Sequence, residues 1–316
     1  MSGVTGLALV SLKIKRTEAM NKKLLLIVNP CSGRAKMRTE LLRVVEILSA
    51  DDYAVTVYPT RARGDATDYV SALNENEYER IVVCGGDGTL NEVITGLMKS
   101  GLRLTLGYIP SGTLNEWSSG LGIARSIPRA AADITTGKKI QLDIGKFGDR
   151  YFSYTASFGA FTDASYSAPQ DVKNVLGQAA YFFEGIKSLG NIKPVHLKFK
   201  TADRETEGDF LFGAVSNSMS VGGIVKFDES VVKLNDGRFE ILLIRNPDNI
   251  LKLQPIIDGI LKRDFDKEGI EFFTADSVTV TGGEGLSWTL DGEYAEGKNE
   301  IVISNMHNAI ELVVPQ

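Results

Sequence analysis

Between Leu24 and Trp117 the chain repeats one pattern four times: a short, almost wholly apolar run, then a segment of helical character. The runs are LLLIVN (24–29), AVTVYPT (54–60), IVVC (81–84) and LRLTLGYIP (102–110). The first two lead into KMRTELLRVVEILSA (36–50) and DATDYVSALNE (65–75); helices opening at Thr89 and Thr113 follow the others. A strand without a polar side has to be covered on both faces. Strict alternation of such strands with helices predicts an α/β architecture: a parallel sheet with helices on both faces.

From Asp143 onward the texture changes. DIGKFGDRYFSYTASFGAF (143–161), VHLKFKTA (195–202), DFLFGAVSNSMS (209–220), GRFEILLIR (237–245), DSVTVTG (276–282), LSWTLDGEYA (286–295) and EIVISNM (300–306) alternate or are aromatic, and Gly, Asn and Asp punctuate them. That is the mark of antiparallel strands, so a β-rich, sandwich-like second domain is expected. Helices are predicted over 175–189 and 249–264. The second carries Lys252, Lys262 and Arg263 beside its apolar residues, which suits a membrane surface, but packing on its own sheet is the preferred reading. The expected division is an extension over 1–19, an α/β domain over 20–142, a β-rich domain over 143–307, and a terminal strand over 308–316 that returns to the first domain.

A length of 316 residues makes two domains the default. Lys plus Arg number 35 against 40 Asp plus Glu, a net charge of −5, which argues against a nucleic-acid partner. Cys31 and Cys84 are too few for a zinc site and read as small core residues; His196 and His307 lie far apart. Chemistry is therefore expected from carboxylates, glycines and metal. No signal peptide or membrane span is read, and the expected location is cytoplasmic.

The pentapeptide GTLNE occurs twice, starting at Gly88 and at Gly112, each time after an apolar run. Thr89 with Glu92, and Thr113 with Glu116, have the spacing of a capping box. Capping does not explain the glycines around Asp87 in GGDGT, which let a ligand approach backbone amides. Two helix starts beyond the carboxyl ends of neighbouring strands would form one anion-binding crevice, and Asp87 at its mouth suggests Mg²⁺ and a polyphosphate. There is no GxxxxGK[ST] loop and no GxGxxG after the first strand, which runs instead into NPCSGRAK (29–36).

GGDGTLNEV (85–93) resembles the signature of the diacylglycerol kinase catalytic-domain family, which is related in fold to the NAD kinases. The resemblance extends in order through NPCSG (29–33), Thr60, IPSGTLNEW (109–117), QLDIGK (141–146), SNSMSVGGIVKFDESVVKLNDGRF (216–239) and LDGE (290–293). It implies ATP against Asn29, Pro30, Cys31, Ser32, Gly33, Thr60, Gly85, Gly86, Asp87, Gly88, Thr89, Leu90, Asn91, Glu92, Gly112 and Thr113. It implies a catalytic Mg²⁺ network of Asp87, Glu116 and Asp143. It further implies a structural metal at Asp236 with the carbonyls of Lys233 and Arg238, and Glu293 as general base with Asp291 close by. Read without the resemblance, both NDG (235–237) and the Asp291-Gly292 pair are turns.

Three departures stand out. Glu116 occupies a place where the family usually has Asp, Val221-Gly222-Gly223 replaces a triple glycine, and Asn235 replaces an acid. The expected function is an ATP- and Mg²⁺-dependent lipid kinase acting on diacylglycerol, with peripheral membrane contact and room for a homodimer. The alternatives are another acceptor (phosphatidylglycerol, a sphingoid base, or NAD, which the missing NNE-type motif disfavours) and a non-catalytic nucleotide- or lipid-binding regulator.

Overall fold

The computed structural model describes residues 22–35, 37–112, 115–159, 193–218, 220–221, 225–226, 232–247 and 252–316. The extension over 1–19 and the helix expected over 175–189 lie outside them. Strand β1 (Lys22–Val28) runs parallel to β2 (Tyr53–Pro59) on one side and to β3 (Arg80–Gly85) on the other. Strand β4 (Thr105–Pro110) continues the sheet beyond β3. Leu24 to Ile27 and Ile81 to Cys84 have no exposed surface, as expected of strands covered on both faces.

Helix α1 (Met37–Ser49) links β1 to β2, α2 (Asp65–Ser71) links β2 to β3, and α3 (Asp87–Ser100) links β3 to β4. Helices α4 (Glu116–Gly120) and α5 (Ile127–Thr136) follow β4. The chain crosses the sheet in one direction through α1 and in the other through α2 and α3. Right-handed crossovers therefore put α1 on one face and the other two on the opposite face. The packing agrees: α1 lies beside α5, and α2 beside α3. Gly96 permits the second contact, because a Cβ there would sit 2.7 Å from Cβ of Val70. The direction reverses between β1 and β3, so the crevice at their carboxyl ends is the topological switch point of the sheet.

The β-rich part begins with β5 (Lys138–Phe147), β6 (Arg150–Phe152) and β7 (Thr155–Gly159), and continues through β8 (Val195–Lys200) and β9 (Glu205–Ser216). A small ladder of β10 (Ser220–Val221) and β11 (Val225–Lys226) precedes β12 (Phe239–Arg245). Helix α6 (Leu253–Lys262) and strands β13 (Ile270–Ala275), β14 (Ser277–Thr281), β15 (Ser287–Leu290), β16 (Glu293–Glu296) and β17 (Glu300–Val314) complete it. Apart from the parallel β17–β4 pair, the strand pairs of this part are antiparallel. Ile256, Ile257 and Ile260 of α6 bury against Phe212, Ala214, Leu242 and Ile244, so this helix packs on its own sheet. Among the described residues no helix is long and apolar enough to cross a membrane.

The segments read as 300–306 and 308–316 form one strand. Its first part contributes Ile301 and Ile303 to the β-rich core; its end contributes Ile310, Leu312 and Val314 to the core around β1. There it pairs parallel with β4 and antiparallel with β5, after an irregularity between Met306 and Ile310. Strand β5 spans both cores too, through Leu142 and Phe147, so the expected boundary at 142/143 falls inside a strand. Leu312→Ala should therefore destabilise the fold by about 2–5 kcal/mol, read as a lower urea midpoint, although the residue stands nearly 300 positions from β1 in sequence.

Candidate active site

Three segments meet at the switch point. After β1, Asn29 donates its backbone N–H to the Cys84 carbonyl (2.9 Å) and its Nδ2 to Thr89 Oγ1 (3.0 Å). Its Oδ1 accepts the Cys31 N–H (3.0 Å), which closes the turn through Pro30 into Ser32 and Gly33. Gly33 has φ +59°, and a Cβ there would stand 1.9 Å from the Ser111 carbonyl oxygen. Ser111 donates its N–H to the Gly85 carbonyl (2.8 Å) and its hydroxyl to Ser32 Oγ (3.0 Å). A Cβ on Gly112 would lie 2.7 Å from Cα of Gly86. Gly33 and Gly112 are thus required by backbone touching backbone, and the two GTLNE corners share one mouth.

The capping box expected at Thr89 and Glu92 does not form. Helix α3 starts earlier, at Asp87, with Gly86 as an N-cap in extended conformation and no side chain closing the helix start. Thr89 lies buried inside the first turn and is held by Asn29. Glu92 reaches the other way, its Oε1 accepting the Gly64 N–H (2.8 Å). The second copy folds differently. Among its described residues only Glu116 is helical; Asn115 is left-handed (φ 50°), its Oδ1 accepting the Gly112 N–H (3.0 Å) and its Nδ2 donating to the Gly112 carbonyl (2.7 Å). Thr113 and the Glu116 side chain lie outside the described residues.

Tyr108, on β4, ties the corners together: its hydroxyl is 3.3 Å from Asp87 Oδ1, 3.3 Å from Asn115 Oδ1 and 3.4 Å from the Gly85 carbonyl. Burial, and then the Asp87 carboxylate, hold this phenol protonated far above its ordinary range. Sequence reasoning passed over it; the available signal was a tyrosine inside an otherwise aliphatic strand leading to a glycine corner. Of the residues expected at the nucleotide, Leu90 belongs to the core, Asn91 turns to Asp291, and Glu92 to Gly64. Thr60 holds its place after β2 by donating its N–H to the Val28 carbonyl (2.8 Å).

The LDGE segment is a hairpin. Leu290 pairs with Glu293, and Asp291 (φ 50°) and Gly292 (φ 84°) form the two-residue turn, both with the positive φ of type I′. Unlike a solvated turn, Asp291 is buried. Its carboxylate accepts the N–H groups of Ser153, Tyr154 (3.0 Å) and Thr155 (3.0 Å), and Nδ2 of Asn91 (3.0 Å). With those donors in place Asp291 fastens the hairpin to α3 and to the β6–β7 link, two residues from Glu293.

Burial pushes the Asp291 carboxyl up to about 6, against these four donors. The folded protein then keeps a proton that the unfolded chain releases near pH 4. The stability from this group is full below about pH 4 and is lost as pH rises through about 6, by at most ~3 kcal/mol. Asp291→Asn should flatten that segment of the unfolding free energy against pH. A variant with the wild-type slope would refute the assignment.

Glu293 opens β16, half-buried, with its carboxylate over the start of α3: a Cβ on Gly88 would lie 3.8 Å from Glu293 Oε1. It is ion-paired with Arg63, a residue of the loop between β2 and α2.

Asp143 is fully buried on β5, and its bonds run to the 235–238 turn and to β17. Oδ2 accepts the Gly237 N–H (2.7 Å); Oδ1 accepts the Asn308 N–H (2.7 Å) and pairs with His307 Nδ1 (3.1 Å). It therefore fastens the 235–238 turn to the break in β17. In that turn Asp236 Oδ1 accepts the Arg238 N–H (3.0 Å), and the Arg238 guanidinium bonds Thr274; Lys233 is exposed. Glu240 next to it is buried with Oε2 unpartnered. Burial first, then the charges of Asp236 and Asp143, push its carboxyl up to about 8. Among the described residues no three His, Cys, Asp or Glu side chains are placed to hold a metal ion together.

The family described as "Diacylglycerol kinase catalytic domain" matches residues 23–147. A protein of Bacillus subtilis (strain 168) named diacylglycerol kinase is 31% identical over 298 residues, covering 93% of this chain and 97% of that one. A diacylglycerol kinase of Staphylococcus aureus (strain MRSA252) is also 31% identical over 298 residues, covering 94% and 93%. A crystal structure of a diacylglycerol kinase from Bacillus anthracis str. Sterne matches with a TM-score of 0.76 at 28% identity, over 93% of this chain and 97% of that one.

Proposed function

Because the chain belongs to the diacylglycerol kinase catalytic-domain family, we propose that it is a lipid kinase that transfers the γ-phosphoryl group of ATP to a lipid hydroxyl, with diacylglycerol as acceptor and phosphatidate as product. The observation that carries this reading is the Glu293 carboxylate, held over the uncapped start of α3 at the switch point of the sheet. A phosphate seated on that helix start has a proton acceptor beside it. An alcohol attacking a phosphoryl group needs that alignment.

The residues present fit Mg·ATP. Glycines at 33, 85, 86, 88 and 112 keep side chains out of the mouth, and Asp87 stands at the helix start. A cation here would be held by Asp87, with Glu116 next in the sequence motif, and otherwise by phosphate and water, which is the manner in which Mg²⁺ is usually bound. When bound, the ion would spread the charge of the transferring group. Asp236, with the Lys233 and Arg238 carbonyls, offers oxygen ligands for a second, structural cation. Glu240, buried beside Asp236 and Asp143 with Oε2 unpartnered, keeps its proton up to about pH 8, and such a cation would supply the counter-charge that lets it ionise. The α/β half would hold the nucleotide and the β-rich half the acceptor, at a membrane surface facing the cytoplasm.

The test is phosphate transfer from labelled Mg·ATP in mixed micelles that offer diacylglycerol, phosphatidylglycerol, sphingosine or ceramide separately. Labelled phosphatidate from diacylglycerol alone is expected. Labelling of another lipid instead would reassign the acceptor, and ATP binding without transfer to any of them would favour a regulator.

A further inference from the structure

We infer that Arg63 is a positioning residue for Glu293, an inference that rests on reading Glu293 as the general base. Glu293 is the first residue after a two-residue turn, and its side chain is 43% exposed. A carboxylate so exposed has several rotamers open to it, yet a general base has to face one direction to be of use. The Arg63 guanidinium supplies the direction, meeting Glu293 Oε2 across the mouth from the other half of the molecule.

The loop that carries Arg63 is itself tied down on both sides. The Thr60 N–H is held by the Val28 carbonyl, and the Gly64 N–H by Glu92 Oε1 of α3. Asp65 accepts the Arg61 N–H (2.8 Å) and the Tyr58 hydroxyl (2.8 Å), and Thr67 Oγ1 donates to the Glu92 carbonyl (2.9 Å). Glu92, freed from the capping role that its spacing suggested, sets the height of this loop over α3. The guanidinium therefore starts from a fixed backbone, and the helix beneath Glu293 is the helix that anchors its partner.

An exposed ion pair contributes little to folding, about 0–1 kcal/mol. With Arg63 78% exposed, a large effect on rate without one on stability is the signature of positioning. The experiment compares Arg63→Ala, Arg63→Lys, Glu293→Gln and the double variant Arg63→Ala/Glu293→Gln, using the full chain and whichever lipid the wild type phosphorylates. Arg63→Ala should lower kcat about ten- to a hundredfold, with KM for ATP within about threefold and an unchanged urea midpoint. Arg63→Lys should retain part of the rate, because lysine supplies the charge without the planar fork. Added guanidinium at millimolar concentration, below denaturing levels, should restore part of the rate to Arg63→Ala and none to Glu293→Gln. The double variant should be no slower than Glu293→Gln alone.

Unchanged kcat in Arg63→Ala beside an inactive Glu293→Gln would overturn the inference and leave the base in place. A raised KM for ATP with kcat intact would overturn it in favour of a nucleotide contact. Full activity in Glu293→Gln would remove the base reading, and this inference with it.

Discussion

Glu293→Gln should lower the rate of phosphoryl transfer by about a hundred- to ten-thousandfold, the usual contribution of a positioned proton acceptor. Glutamine preserves the shape of the side chain and its place over Gly88, but its amide does not take a proton at neutral pH. ATP affinity should stay within about threefold, because the glycine corners and Asp87 are untouched. The substitution also leaves Arg63 without a counter-charge, at a site exposed enough for water to solvate it. The measurement is single-turnover transfer from labelled ATP beside calorimetric titration of ATP. Equal losses of rate and of ATP binding would show that the residue holds the site together instead of moving a proton.

Gly33→Ala should cost about 2–4 kcal/mol of stability and at least about tenfold in ATP affinity. Two terms add. An L-residue at φ +59° costs roughly 1–2 kcal/mol. The new Cβ would also stand 1.9 Å from a backbone oxygen, so no rotamer change relieves it and the 29–33 turn has to leave the Ser111 corner. Gly148→Ala separates the terms: Gly148 has the same φ of +59°, with nothing within 4 Å of a Cβ. It should lose only the backbone term and bind ATP normally. If both variants lose equally, the contact between the two corners does not carry the site.

Much of the fold was legible because its signals are local. Leu24 to Val28 and Ile81 to Cys84 have no polar side, which only a strand inside a covered parallel sheet satisfies. The Asp-Gly pair at 291–292 announced its hairpin, since two positive φ values in succession favour those residues. The glycines around Asp87 were legible as a tight curl that leaves backbone amides open to a ligand, whereas the pressing of one corner's backbone on the other's was not. The capping box was misread at Thr89 because its spacing is also satisfied by residues inside a first turn. Gly86 started the helix earlier than the pattern suggested. The burial of Asp291 was not legible for a related reason: a turn pair is ordinarily solvated, and it is the β6–β7 link and Asn91 closing over it that bury this one.

The sequence alone determined the alternation that makes a parallel sheet, the reversal to antiparallel strands after it, and the chemical types gathered at the strand ends. Those properties depend on neighbours a few positions away, where backbone propensity and periodicity act. Tertiary structure alone decided which carboxylate faces the mouth. Asp291 and Glu293 are two residues apart, yet one is closed in by four N–H donors and the other reaches Arg63, 230 positions away. It also decided that two identical pentapeptides differ, one entering a long helix packed on α2 and the other turning at Asn115 around Gly112. A side chain's charge and reach are written in its own letter. Its partner is set by packing across distances in the chain that no local pattern spans.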